Sequence, residues 1–212
     1  MPFQSLLHVL NRLTGAPQPP VALHDGSILV ASEIPPLALL VNKGVVWTAG
    51  ETTGVSAVIA PPTTTAQISL YNNEPVGGKS YILLRAGALV TASPAGLSQV
   101  GLSYCVHRAR PATTPTADIL AASITNLKAL TPNYNGRAII DLAATVADDL
   151  WKPLGYSNVD AVTGVGWQVD VWADGLIILP PTGMVSFAAV AQSTSVSTRI
   201  SFTWAEVLLP AS

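Results

Sequence analysis

From residue 27 onward, the chain consists of short apolar runs in which hydrophobic and polar positions often alternate. In one run, Trp167, Val169 and Val171 fall on one face and the residues between them on the other. Period-two alternation is typical of strands that are buried on one side. The predicted strands are Ser27–Ala31, Leu37–Asn42, Val45–Ala49, Ser56–Ala60, Ala66–Asn72, Ser80–Thr91, Gly101–Arg108, Arg137–Val146, Gly166–Trp172, Gly175–Leu179, Met184–Gln192 and Thr198–Leu208.

Gly, Pro and Asn separate these runs, and no regular alternation of strands with helices is present. Many short strands between turn residues indicate an all-β antiparallel sandwich or barrel. We therefore predict one β domain over residues 27–212, with no internal repeat. Asp118–Leu130 stays open, because its apolar spacing fits a helix while its Ile, Thr and Ser content disfavours one.

The first 26 residues have a different pattern. Residues 3–14 place apolar side chains at helical spacing, which predicts an amphipathic helix, and Gly15 with the prolines after it ends that helix. Residues 1–26 are therefore predicted to be a helical arm on a stiff Pro-rich tether. Its stripe packs either on its own domain or on a neighbouring subunit, and we assign the inter-subunit contact to Phe3, Leu6, Leu7, Leu10 and Leu13.

Composition narrows the classes of partner. Hydrophobic residues make up 49% of the 212 residues and charged ones only 10%, yet no window has the roughly 18 apolar residues of a membrane helix. A surface built from hydroxyls and amides suits burial against neighbouring subunits, because it costs less to desolvate than charges. The net charge is −2 without a basic stripe, so neither nucleic acid nor a membrane is an expected partner.

Cysteine usage and the N-terminus bear on the compartment. Cys105 is the single cysteine, which excludes an internal disulfide and fits synthesis in a reducing compartment. The first residues lack a basic region, and polar side chains interrupt their apolar stretch, so no secretory leader is predicted. We expect cytoplasmic synthesis without secretion.

One stretch resembles a phosphate-binding loop. The octet Asn73–Ser80 matches the G-x-x-x-x-G-K-[ST] pattern except that Asn73 stands in place of the first Gly. The YILLRAGALV run that follows predicts a strand, whereas a phosphate site needs the N-terminus of a helix at this point. We therefore predict that Gly77 and Gly78 form a hairpin turn between two core strands, and that no nucleotide binds.

Other catalytic or metal-binding patterns are weaker. Cys105 and His107 share one face of a strand but diverge along it, so they do not form a nucleophilic dyad. Asp148 and Asp149 are adjacent carboxylates whose spacing identifies no acid–base pair. The three histidines lack metal-ligand spacing. We predict no catalytic residues, no metal and no cofactor.

Five tryptophans remain as candidate contact residues. Trp167 and Trp172 fall on opposite faces of a regular strand, so at least one of them is expected outside the core. Exposed indoles serve as interface anchors or as platforms for sugars. The candidate exposed aromatics are Trp151 and Trp172.

Two stretches carry a family resemblance. Ile68–Leu84 contains N-x-E-x-x-x-G-K-S-Y, and Gly175–Val207 contains ILPPTGMVSF followed by a polar turn and a strand ending FTWAEV. Both are similar to small β-sandwich structural proteins of tailed bacteriophages. This resemblance implies a jelly-roll-type sandwich that decorates or cements a capsid, or that belongs to a fibre. It also implies a virion location, with the major capsid protein and copies of the chain itself, as a homotrimer or another homo-oligomer, as partners.

Three functions therefore stay open. A capsid decoration or cement protein is the leading hypothesis, and a receptor- or glycan-binding fibre module that uses Trp172 or Trp151 is the alternative. A β-fold hydrolase acting through Asp148 and Asp149 is the third.

Overall fold

The structure, a computed structural model, describes residues 9–10, 17–18, 36–92, 98–146, 150–159 and 167–209. The chain divides into two compact units, Met1–Leu39 and Leu40–Ser212, and both large sheets lie in the second. The elements in chain order are β1 Val9–Leu10, β2 Pro17–Gln18, α1 Pro36–Asn42, β3 Val46–Gly50, β4 Val55–Ser56, β5 Ile68–Asn72, β6 Ser80–Ala92, β7 Ser98–Val106, a 3-10 turn Ala121–Ser123, β8 Thr125–Asn126, β9 Ala138–Asp141, β10 Lys152–Val159, β11 Gln168–Leu179, β12 Met184–Ala191 and β13 Ser197–Val207.

Two antiparallel sheets form a β-sandwich, which confirms the predicted fold class at this level. One sheet has the order β10-β7-β12-β5-β9, and the other has the order β11-β6-β13-β3-β8, with β4 also paired to β13. The main pairs are nested along the chain: β7 pairs with β10, β6 with β11, β5 with β12, and β3 with β13. Consecutive strands therefore mostly change sheets rather than form hairpins.

The core fills the space between the inner faces of the two sheets. Phe187 of β12 stacks on Phe202 of β13, with ring centroids 5.4 Å apart. Along β11, Val169, Ala173 and Ile177 are buried while the positions between them are mostly exposed. Full burial of a large apolar side chain contributes roughly 1.5–3 kcal/mol. The side chains that period-two alternation directs into the core therefore supply the main stabilisation of the sandwich.

One predicted strand is a helix. Leu37–Asn42 belongs to α1, Pro36–Asn42, because Leu and Ala are good helix formers and Pro36 suits the first helical position. The helix ends at Asn42, and the turn that follows contains Gly44, whose φ of 71° is in the left-handed region. The N–H groups of Gly44 and Val45 donate to the carbonyls of Val41 and Leu40, the pattern that commonly terminates a helix.

The predicted N-terminal helix is wrong at Val9–Leu10, which forms a two-residue antiparallel ladder with Pro17–Gln18. An isolated helix of about 12 residues is marginal in water, so a local strand pairing competes with it. Leu10 lies in β1, whereas the other stripe residues, Phe3, Leu6, Leu7 and Leu13, lie outside the described residues, as does the predicted strand Ser27–Ala31.

The remaining differences concern strand boundaries. The predicted strands Gly166–Trp172 and Gly175–Leu179 are parts of one strand, β11, which a bulge interrupts between Trp172 and Ile177. The strand Lys152–Val159 was not predicted. Asp118–Leu130 contains the short 3-10 turn and β8 rather than a helix. Arg137–Val146 is regular strand only over Ala138–Asp141.

Candidate functional site

The loop 73–79 does not form a phosphate cradle. It leads from β5 into β6, which is a strand of 13 residues, so no helix N-terminus faces the loop. The Gly78 N–H donates to the Pro75 carbonyl over 2.8 Å, and Gly77 has a φ of 82°, as the third residue of a type II turn requires. The predicted hairpin is nevertheless wrong, because β5 and β6 belong to different sheets.

Asn72 fixes this crossing between the sheets. It is the first residue of the N-x-E-x-x-x-G-K-S-Y stretch, from which no role was predicted for it. Its amide nitrogen donates to the carbonyls of Lys79 and Leu179, each over 2.9 Å, and its side-chain oxygen accepts from the Glu74 N–H over 3.0 Å. Its backbone bonds with Thr182 and Gly183. Asn72 is fully buried, so these bonds replace the water that it loses.

His107 joins a chain of hydrogen bonds that leads to two buried serines. Its Nε2 is 2.7 Å from Oγ of Ser186, which is 2.7 Å from Oγ of Ser69. Both serines are fully buried, and Cys105 is buried too. A serine beside a histidine needs access to substrate to act as a nucleophile, and complete burial of Ser186 denies that access.

No metal-binding constellation emerges from the described ranges. No group of three or more His, Cys, Asp or Glu residues lies close enough there to hold a metal ion. Asp148 and Asp149 lie outside the described residues. No helix within those ranges has the length and hydropathy that a membrane span requires.

The two candidate tryptophans differ in their surroundings. Trp151 is half-buried, and its indole N–H donates to the Pro62 carbonyl over 2.8 Å. Trp172 is 56% exposed on β11. It lies on the outer face of the six-stranded sheet, turned away from the core.

Trp172 is supported by an ion pair. The guanidinium carbon of Arg85 lies 5.6 Å from the centroid of the Trp172 ring, a distance at which a cation is attracted to the ring. Asp170 accepts from Nε and from a terminal nitrogen of Arg85, each over 2.6 Å. This hydrogen bonding to Asp170 raises the pKa of Arg85 above its ordinary value. The indole, guanidinium and carboxylate therefore form one ordered surface group.

A shallow depression of about 100 Å³ lies beside this group. One row of paired residues crosses four adjacent strands of this sheet. It consists of Asp170 on β11, Gly87 on β6, Ser201 on β13 and Gly50 on β3. Gly87, which has no side chain, and Ser201, which has a short one, both line the depression. We call it the Gly87 depression, and its rim includes Thr48, Thr203, Gln168 and Arg85.

The same edge of the sheet exposes apolar side chains. β11 is the edge strand of the six-stranded order and is 12 residues long. Leu176 is 89% exposed and Ile178 is 46% exposed on it. Long apolar edge strands are templates for pairing with another chain.

A scan against models of known protein families and a search of curated proteins both found no match to this chain.

Proposed function

We propose that this chain is a non-enzymatic structural subunit of a phage virion, of the capsid decoration or cement type. The exposed apolar edge strand β11 carries the proposal. The burial of Ser69 and Ser186, the two serines that are linked to His107, adds support. A fully buried hydroxyl cannot reach a substrate. The partners would be the major capsid protein and further copies of the chain.

The strand order supports a jelly-roll sandwich. Eight strands form the four nested antiparallel pairs described above and are divided equally between two facing sheets. Jelly rolls have eight strands in two sheets and occur in viral capsid and lectin domains. Fold alone does not determine function, so the functional argument rests on the surface of β11.

The protective features of the β11 edge, its bulge and the exposed Asp174, are confined to the segment between Trp172 and Ile177. Charges and short length normally protect such edges, whereas here Asp170 is neutralised by Arg85, and Leu176 and Ile178 face solvent. Burying both in an interface would contribute several kcal/mol, at about 25 cal/mol per Å², before the entropy cost of association. Such a contact, repeated over a shell, would raise the barrier to its rupture.

The N-terminal segment belongs to the same proposal. Residues 1–26 would form an arm that docks on a neighbouring subunit. Deletion of residues 1–15 should then leave the circular dichroism of the sandwich unchanged and reduce incorporation into particles. Full incorporation of the deleted chain would contradict the docking role.

The edge-strand contact is tested by a double variant, Leu176→Lys with Ile178→Lys. Two positive charges should abolish self-association in sedimentation analysis and lower incorporation into particles while the fold is kept. The matched control is Leu120→Lys, because Leu120 is also exposed but lies outside β11. Equal association of both variants would refute the contact.

Copy number tests the assignment itself. Quantitative mass spectrometry of purified particles should find hundreds of copies of the chain if it belongs to the shell. A dozen copies or fewer would favour a fibre or tail position, and complete absence would refute the virion proposal.

A further inference from the structure

We infer that the outer face of the six-stranded sheet binds a neutral pyranose sugar at Trp172, Arg85, Asp170 and the Gly87 depression, which together are called the Trp172 site. The inference goes beyond the structural role proposed above and does not depend on it, since both shell and fibre subunits can display a sugar site.

The first observation is a fixed and accessible aromatic surface. Trp172 remains 56% exposed with Arg85 beside it. Its strand position pairs directly with Arg85 on β6, and Asp170 holds that guanidinium in place through two bonds. A preorganised platform loses little entropy on binding, and the apolar C–H face of a pyranose is suited to stacking on an indole.

The second observation is the balance of charge beside the platform. A guanidinium has five N–H donors and a carboxylate about four acceptor positions. Within the described part of the chain, the Arg85–Asp170 pair uses two of each. The opposite charges cancel, which disfavours a simple anion or cation. Donors and acceptors side by side match the hydroxyl groups of a sugar, which both donate and accept.

The third observation is the space next to the pair. Gly87 lies directly opposite Asp170 in the strand register, and a Cβ atom there would approach the Val169 carbonyl oxygen to 3.0 Å. At the rim, the Thr203 hydroxyl donates to Oγ1 of Thr48 over 3.3 Å, and the Thr48 hydroxyl donates to the Phe202 carbonyl over 3.1 Å. With its proton engaged, the Thr203 oxygen is oriented to accept a further hydrogen bond from a sugar hydroxyl.

These observations favour a sugar over a protein partner at this spot. A protein contact at an indole is normally surrounded by apolar residues that exclude water. Here the Arg85–Asp170 ion pair flanks Trp172. The exposed lining of the adjacent Gly87 depression is mainly polar, with Leu89 as its exposed apolar member. Of the exposed apolar side chains of β11, Leu176 lies in its bulge and Ile178 lies beyond it.

The test uses the full-length chain on an array of neutral sugars that includes glucose, galactose, mannose, N-acetylglucosamine and their oligomers. The best ligand is then titrated by NMR against the wild type, Trp172→Ala and Trp172→Phe. We expect Trp172→Ala to weaken binding about tenfold or more and Trp172→Phe to keep most of it, since a phenyl ring still stacks. Arg85→Met should weaken binding at an unchanged melting temperature.

The matched control is Trp167→Ala, because Trp167 is also exposed but precedes β11. It should leave the affinity within about twofold. Three outcomes would overturn the inference. These are no binding of any sugar at about 10 mM, equal binding by wild type and Trp172→Ala, or a loss of particle incorporation by Trp172→Ala in a chain that binds no sugar. The last result would identify the site as a protein interface.

Discussion

Tyr134 donates its phenolic proton to Oε1 of Glu206 over 2.5 Å in the interior of the sandwich. Burial, followed by the nearby Glu206 carboxylate, raises the pKa of Tyr134 well above its ordinary 10.0, so the phenol remains a donor. Trp204 Nε1 and Lys79 Nζ also approach the carboxylate, each at 3.3 Å. Three donors thus compensate the burial of Glu206, which is 3% exposed.

Replacing Tyr134 by Phe should lower the free energy of unfolding by about 2–3 kcal/mol. The change removes the donor to Glu206 and also the acceptor of the Ala138 N–H, which binds the phenol oxygen over 2.7 Å. Urea unfolding measures the loss. Tyr156→Phe is the control, since Tyr156 is 76% exposed, and it should cost less than about 0.5 kcal/mol. Similar losses for both variants would contradict the role of the buried bond.

A second buried carboxylate makes stability depend on pH. Glu51 accepts from the Ile200 N–H over 2.6 Å and from the Gln67 amide over 3.1 Å. Desolvation by burial nevertheless raises the pKa of Glu51 from 4.5 to about 7. Because the folded-state pKa is the higher one, the neutral acid favours folding, and this stability is full below about pH 4.5 and is lost as pH rises through 7.

We therefore expect the unfolding free energy of the wild type to fall by about 1–3 kcal/mol between pH 4.5 and 8. In Glu51→Gln this fall should be absent. The measurement is chemical unfolding of wild type and variant across that range, with Asp174→Asn as the control for removal of one exposed acidic charge. Parallel pH profiles for wild type and Glu51→Gln would refute the assignment.

Asn72→Ala should destabilise the chain by about 3 kcal/mol, because it leaves the buried carbonyls of Lys79 and Leu179 without their shared donor. Asn73→Ala, at the exposed neighbouring position, should be nearly neutral. Thermal and urea unfolding of the two variants give the comparison. Equal losses for the two variants would contradict the attribution of the destabilisation to the Asn72 bonds.

Gly77→Ala should cost about 1–2 kcal/mol, because an L-residue at a φ of 82° is strained even where the space around it is open. Gly77→Asn should cost less, since Asn tolerates the left-handed region better than Ala. The control is Val76→Ala, because Val76 is 94% exposed. An unfolding free energy for Gly77→Ala equal to that of wild type would exclude this strain.

Local patterns predicted the fold class but not the pairing of its strands. Alternation along β11 is visible in the sequence because each side chain reports its own face. Lys152–Val159 was missed because Pro153 and Gly155 disguise it, and both are tolerated at this edge strand with its bulge. Leu37–Asn42 was misassigned because short apolar runs fit either element.

The sites that matter most join residues far apart in the sequence. Arg85 and Asp170 are separated by 85 positions, and no periodicity links them. Trp172 was singled out by its residue type, whereas its ion pair and the Gly87 depression depend on strand register. In the sequence, Asn72 could be recognised only as a residue type that is common in turns. Its side-chain bonds to the carbonyls of Lys79 and Leu179 depend on the crossing of the chain between the two sheets.

The position of β13 has a consequence for synthesis in the cell. This strand, Ser197–Val207, lies between β6 and β3, and the Thr48 hydroxyl binds the Phe202 carbonyl 154 positions away. A ribosome adds about 5–20 residues per second, so β3 emerges roughly 8–30 seconds before its partner. Throughout that interval β3 and β6 have no strand between them. The six-stranded sheet must therefore assemble after most of the nascent chain has been translated, and chaperone binding in this window would protect it from aggregation.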